Sequence, residues 1–353
     1  MRVAVWSTGG IGAISIRTVL ERPDLELVGV WVHSQEKVGQ DVGVLTGGGA
    51  IGLTATNDVD ALIALRPDCV IYAASGPTRG VAAAPDYVRL LEAGVNVVTT
   101  TSTGLIYPLV SDPEWRARLA AAAQRGRASL YASGIFPGFA SDQLALVLAT
   151  QSRSIRTVRV TELSLNDHYP VASVMMDGLG FGRPLDFAPM LSQPGLIESS
   201  WKAPIHLMAA ALGVEVESIR GELDREPTVR DIDVAFGRIE AGTCGAVCTR
   251  AIGVVAGRDA IIVEHIIRMA RDVAPNWPTS AYDATYNVAI EGDPDMRCSM
   301  TMGEAVGHGA GGAAMTGTAM RVVNAIPYVV AAAPGLLSSS DIPLTIPRHA
   351  FKY

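Results

Sequence analysis

Five short apolar or β-branched runs fall in the first 140 residues, and each of the first four is followed by helical spacing. RVAVWS leads into IGAISIRTVLE, ELVGVWVH precedes DALIAL, and CVIYAAS precedes PDYVRLLEAG. NVVTTTS and EWRARLAAAAQRG follow, and ASLYASG closes the series. Strands that alternate with helices at this spacing predict a parallel, doubly wound α/β sheet. A chain of 353 residues exceeds one core, so a second domain is expected.

That second domain is visible as a change of pattern. After SGIFPGFASDQLALVLAT the strand-like runs lengthen, in IRTVRVTELSLN, in GTCGAVCTRAIGVVAGRDAIIVEHIIRMARD and in AYDATYNVAIEG. Long strands clustered together predict an open, mostly antiparallel sheet. The stretch 171–235 reads as looser, with mixed helical patterns. The expected division is a first domain over 1–142, completed by a helical tail over 307–353, and a second domain over 143–306.

Composition excludes several partners. The net charge is −7 and no basic run occurs, which argues against nucleic acid and anionic membrane surfaces. The apolar tail is interrupted by Arg321, Asn324, Pro327 and Pro334, so it reads as a buried helix ending near Pro327. No signal peptide is visible at the start. The four cysteines include a C-x₃-C pair, Cys244 and Cys248, without a second pair to complete a zinc site. They read as reduced thiols of a cytoplasmic protein.

The glycine cluster after the first strand carries the first chemistry. A dinucleotide loop needs a sharp turn, close backbone approach to the pyrophosphate, and a helix whose N-terminal amides face the phosphates. Gly9 supplies the approach and Gly12 the close helix–strand packing, with Gly10 and Ile11 between them. Ser7 stands where the fingerprint has its first glycine. At the end of the second strand, His33 and Ser34 replace the carboxylate that usually holds the ribose hydroxyls. Ser34 can donate to a 2′-phosphate and Lys37 adds charge, so NADP is expected over NAD, although Glu36 offers NAD a contact. Ala74 and Ser75 at the third strand end, and Thr101 and Ser102 at the fourth, complete the expected cofactor edge of a Rossmann domain.

STGGIG, HSQEKVGQDVG, TTTSTGLIYP, SGIFPGFASD and TAMRVVNAIP occur in one order and at one spacing. Together they resemble the dihydrodipicolinate reductase-like enzymes, in the branch of 2,4-diaminopentanoate dehydrogenase and the native amine dehydrogenases. The resemblance covers essentially the whole chain. It implies an N-terminal Rossmann domain, a C-terminal α/β domain with an open sheet, a homodimer, and a substrate in the interdomain cleft. It also implies NAD(P)-dependent interconversion of a small amine with a ketone and ammonia. In those amine dehydrogenases a glutamate precedes an aromatic-Pro pair. Here that pair is Tyr107-Pro108, and Ser102, Thr103, Gly104, Leu105 and Ile106 before it include no carboxylate. Phe136 stands where an asparagine is often found, and is assigned to the cofactor edge.

Other groups must then manage the proton. LSLNDHYPV offers His168 and Tyr169 as donors beside Asp167, and Thr103 is taken with them as a catalytic candidate. Glu162 is a further carboxylate. Glu264 and His265 lie mid-strand on opposite faces, so at most one faces a cleft. Asn324 is a candidate for the cofactor carboxamide. Phe136, Tyr169, Met175 and Met176 are candidate walls of an apolar pocket for an amine, imine or ketone. Two alternatives remain: reduction of a carbonyl or C=C bond without ammonia, and a non-catalytic NADP sensor.

Overall fold

The structure is a computed structural model and describes residues 1–74, 79–282, 284–303 and 312–351. Two compact units partition the chain, 1–138 with 315–353, and 139–314. The segment Phe139–Gln143 packs on strand Ser154–Leu165 and helix Leu196–Ala211, which places it with the second unit rather than the first. The expected return point at 307 lies outside the described residues.

The first unit holds β1 (Arg2–Trp6), β2 (Glu26–Trp31), β3 (Cys69–Tyr72), β4 (Asn96–Thr99) and β5 (Ser129–Ala132). A sixth strand, Gly335–Leu337, joins beside β5, and every pairing is parallel. β3 and β5 are buried along their whole length, as near-continuous apolar strands are when helices cover both faces. From β1 the sheet extends to β2 on one side and to β3 on the other. That reversal opens a crevice at the carboxyl ends of β1 and β3, where open α/β sheets bind ligands.

Helix Gly312–Ala331 contributes Val322, Val323, Ile326 and Val329 to the core around Val3, Val5 and Ile16. Each such side chain stabilises by about 1.5–3 kcal/mol through removal from water. The helix continues through Pro327, where the sequence pattern predicted its end. The missing Pro N–H costs one backbone bond, and burial of both flanks holds the helix together. Among the described residues no helix is long and apolar enough to cross a membrane.

The second unit is built on β6 (Ser154–Leu165), β7 (Ser218–Pro227), the ribbon β8 (Ile232–Val234) and β9 (Gly237–Ile239), β10 (Cys244–Val255), β11 (Arg258–Arg268), β12 (Ala284–Asp293) and β13 (Met296–Met302). The main sheet runs β13-β12-β6-β11-β10-β7. Only β6–β11 is parallel among its pairings; the others are antiparallel. β10 and β11 form a hairpin whose turn residues Ala256 and Gly257 both have positive φ, matching the strand twist. Met175 sinks into the core of this unit with Phe181 and Ile239, which takes it out of any pocket wall. Cys69, Cys244, Cys248 and Cys298 are all free.

Candidate functional site

The glycine turn sits at the crevice of the first unit. Gly9 is the N-cap of helix Gly10–Glu21, and its amide hydrogen-bonds the Ser7 hydroxyl at 3.2 Å. A Cβ on Gly12 would lie 2.0 Å from the Ser7 carbonyl oxygen, so only glycine lets the helix approach β1 this closely. Ser7 itself has φ 101°, the region a glycine would occupy without strain. The turn geometry of a dinucleotide loop is thus kept by a serine. Its amide is anchored on the Trp31 carbonyl at 2.8 Å.

A cavity of about 300 Å³ opens above this turn, lined by Ser7, Thr8, Gly9, Trp31, Val32, His33, Ser34, Lys37, Ala74 and Arg79. It therefore brings together six of the expected cofactor residues: Ser7, Gly9, His33, Ser34, Lys37 and Ala74. Gly10, Ile11 and Gly12 form the first turn of the adjoining helix. No carboxylate is among the lining residues, whereas Lys37 and Arg79 both are. The Lys37 ammonium donates to the Thr8 hydroxyl at 3.3 Å. Arg79 bonds the Tyr72 hydroxyl and the Asp86 carboxylate, and Tyr72 donates to Asp86 at 2.6 Å. Two cations and a helix N-terminus at one cavity suit a polyphosphate. The residues present fit a phosphorylated dinucleotide.

Thr8, Trp31 and Arg79 escaped the sequence reading. The ring of Trp31 stacks on Trp6 at 4.2 Å between centroids, and Trp6 stacks on Tyr72 at 5.1 Å. The three aromatics are register partners on β2, β1 and β3, so each strand end contributes one ring to a continuous wall. Only the pairing of three strands separated in sequence reveals it.

A second cavity, of about 100 Å³, lies at the ends of β4 and β5 and includes Thr99, Ser102, Thr103, Ile106, Ser133, Gly134, Phe136 and Thr318. It gathers Ser102, Thr103 and Phe136. The Ser102 hydroxyl is already engaged, donating to the Gly80 carbonyl at 2.6 Å and lying 2.9 Å from the Tyr87 hydroxyl. Thr101 donates to the Ala74 carbonyl at 2.7 Å, which ties the ends of β3 and β4 together. Ser133, absent from the sequence reading, is buried with a hydroxyl that has no hydrogen-bond partner. An orphaned hydroxyl on a cavity wall suits an incoming polar group such as an amide. No carboxylate lines this cavity.

Asn324 lies elsewhere. Its side-chain oxygen accepts from the Arg22 guanidinium at 3.0 Å, beyond the end of helix Gly10–Glu21 remote from the glycine turn. It serves a buried arginine that also pairs with Asp24. Ser75 lies outside the described residues.

In the second unit, Asp167, His168 and Tyr169 occupy the turn after β6. His168 Nδ1 lies 3.5 Å from the Asp167 carboxylate, and Tyr169 is 39% exposed. Glu264 and His265 do lie on opposite faces. Glu264 takes Arg250 at 2.7 Å and Thr161 at 3.0 Å, a satisfied structural group. His265 faces Glu162 across the parallel pair, with Nε2 at 3.2 Å from the carboxyl and 3.2 Å from the Ser164 hydroxyl. On the other side of Glu162, Tyr286 hydrogen-bonds the carboxyl from β12. Burial pushes Glu162 up to about 8 and His265 down to about 4. Burial likewise raises the Tyr286 hydroxyl above its ordinary value, helped by the Glu162 charge. At neutral pH the Glu162–His265 contact is therefore a bond between a carboxylic acid and a neutral imidazole, not an ion pair. Among the described residues no cluster has the makeup of a metal site.

Residues 139–351 match the family of the 2,4-diaminopentanoate dehydrogenase C-terminal domain. An amine dehydrogenase from Streptomyces virginiae is 37% identical over 350 residues, covering 96% of this chain and 95% of that protein. A 2,4-diaminopentanoate dehydrogenase from Acetoanaerobium sticklandii is 24% identical over 367 residues, covering 99% and 94%. Among solved structures, an amine dehydrogenase from Mycobacterium smegmatis shares the fold with a TM-score of 0.76 at 23% identity, over 99% of this chain and 98% of that one.

Proposed function

The chain belongs to the 2,4-diaminopentanoate dehydrogenase family and is a nicotinamide-dependent oxidoreductase; from that premise we propose an amine dehydrogenase that prefers NADP and acts on a small, mainly apolar amine. The observation that carries the reading is the end-to-end similarity to an amine dehydrogenase at 37% identity. When bound, the nicotinamide supplies the acceptor for the hydride of the carbon–nitrogen bond.

The chain's own residues then have separable tasks. Gly9 and the first turn of helix Gly10–Glu21 present backbone amides to the pyrophosphate. Ser34 and Lys37 take the 2′-phosphate, and Arg79 adds charge on the same cavity. Ser133 meets the amide of the cofactor head, with Thr103 and Phe136 beside it. His168 and Tyr169 are the proposed proton donors of the second unit. Free thiols support a reducing, cytoplasmic setting, and the whole-chain resemblance supports a homodimer.

The test is oxidation of a panel of small amines with NADP+ and with NAD+. NADP+ reduction accompanied by an equal yield of ketone and ammonium is expected. In Lys37→Ala, NADP+ affinity falls about 10-fold or more while NAD+ affinity changes little, the worth of one charge-assisted bond. Equal losses for both cofactors would remove Lys37 from the 2′-phosphate. A second reading, carbonyl reduction without ammonia, is favoured by the lack of a carboxylate in the Thr103 cavity.

A further inference from the structure

We propose that the second unit holds a separate binding site for a small monocarboxylate with an apolar body, in a cavity at the end of its sheet remote from Asp167, His168 and Tyr169. The site binds its ligand whatever reaction the nicotinamide serves.

The cavity has a volume of about 490 Å³, against about 300 Å³ above the glycine turn. Its walls are the first residues of β6, the β10–β11 hairpin, and the C-terminal ends of helices Leu144–Ala149 and Leu196–Ala211. All of these belong to one compact unit. Val158 and Ile261, register partners on the parallel pair β6–β11, line it and are 1% and 2% exposed. Leu212 and Val255 add apolar wall. Ala211 and Ala260 leave space between them, since neither side chain extends beyond Cβ. Cavities of this size, apolar with a few polar groups, are where small ligands bind.

The polar groups are cationic. Arg153, Arg156 and Arg258 line the cavity, and among the described residues no carboxylate does. Two of the three are matched by acids at the ends of β12 and β13. Arg153 Nε donates to Asp293 at 2.6 Å, and Arg156 donates to Asp295 at 3.3 Å. The Arg258 side chain has no partner among the described residues. The acids nearest to it in the fold are already engaged. Glu217 accepts the Gly257 amide at 3.1 Å, and Asp259 pairs with Arg220 at 3.0 Å. The two helix ends are capped as well: the Ala149 carbonyl accepts the Ser152 amide at 3.0 Å, and the Ala209 carbonyl accepts the Val214 amide at 3.0 Å. One positive charge is therefore left over at the cavity.

Ser152 supplies an independent observation. It lines the same cavity, and its hydroxyl is buried without a hydrogen-bond partner. A buried orphan hydroxyl suits an incoming polar atom. A carboxylate can accept paired N–H bonds from the Arg258 guanidinium and an O–H bond from Ser152. A single uncompensated cation selects a single negative charge, whereas a phosphomonoester brings about 1.5–2. The apolar walls select an apolar body. From Val158 to Leu165, just before the turn that bears Asp167, His168 and Tyr169, β6 runs about 23 Å at about 3.3 Å per residue. The cavity is thus separate from the proposed proton donors.

Two measurements on the full chain decide the matter. Calorimetric titration with octanoate, and with 1-octanol as its uncharged counterpart, should show one octanoate per chain and at least about 10-fold weaker binding of the alcohol. Arg258→Glu, at an exposed position, should weaken octanoate about 10- to 100-fold and leave NADPH binding unchanged, and Arg258→Lys should keep the preference for octanoate over the alcohol. Amide exchange with octanoate bound should slow over residues 152–158 and 255–261. Equal affinity for the alcohol, wild-type octanoate affinity in Arg258→Glu, or displacement of octanoate by NADPH would each overturn the proposal. None of these outcomes bears on amine oxidation, which is read separately by the amine panel.

Discussion

At the scale of single residues, Gly9 and Gly12 look alike in sequence and act differently. A Cβ on Gly12 meets the Ser7 backbone, whereas one on Gly9 meets only the Ser7 hydroxyl at 3.5 Å. Gly12→Ala should therefore cost about 1–3 kcal/mol of stability through overpacking, read by denaturant unfolding. Gly9→Ala should leave the unfolding midpoint nearly unchanged and weaken NADPH binding, read by fluorescence titration. The reverse pattern would contradict the assigned roles. Their backbone geometry was legible because the glycine fingerprint encodes local sterics. Ser34 and Lys37 were legible for a similar reason: a strand end fixes their place. Asn324 was not, since its partner Arg22 is distant in sequence. Arg79 and Ser133 were missed because only neighbouring strands give them a cavity to line.

At the scale of elements, β1 to β5 of the first unit announce themselves by apolar or β-branched runs, and the edge strand β7 of the second unit does not. β7 reads SIRGELDREP, with every position at least partly exposed, so its sequence carries no buried stripe. Its pairing with β10 places it. The sheet of the second unit also makes stability depend on pH. Glu162 has a folded value near 8, above its ordinary 4.5, so its contribution is full below about 4.5 and is lost as pH rises through 8. His265 has a folded value near 4, below its ordinary 6.5, so its contribution grows as pH rises between those values. The two oppose each other between pH 4.5 and 6.5, and Glu162 alone acts from 6.5 to 8. In that upper window wild-type stability should fall by up to about 1.4 kcal/mol per pH unit. Glu162→Gln should flatten the slope. An equally steep profile in the variant would place the titrating group elsewhere.

At the scale of the whole molecule, the proposed reading divides its tasks between the two compact units. The first offers cations, backbone amides and a wall of stacked rings; the second offers His168 and Tyr169. Saturating NADPH, at about 100 times its Kd, should add about 2.7 kcal/mol to the unit that binds it. Amide exchange should slow around Ser7–Gly12 and Ser34–Lys37. Slowing confined to residues 139–314 would refute that placement. The division into an alternating α/β unit and a long-stranded unit was legible from the change in run length after residue 140. Whether amine chemistry persists without a carboxylate before Tyr107-Pro108 was not, because proton handling depends on groups that distant segments bring together. The most direct measurement is NADPH oxidation by the purified protein with a small ketone, with and without ammonium at mildly basic pH. Oxidation that requires the ketone and ammonium together is the predicted result. Oxidation at the same rate without ammonium would contradict amine dehydrogenase chemistry and make the protein a carbonyl reductase.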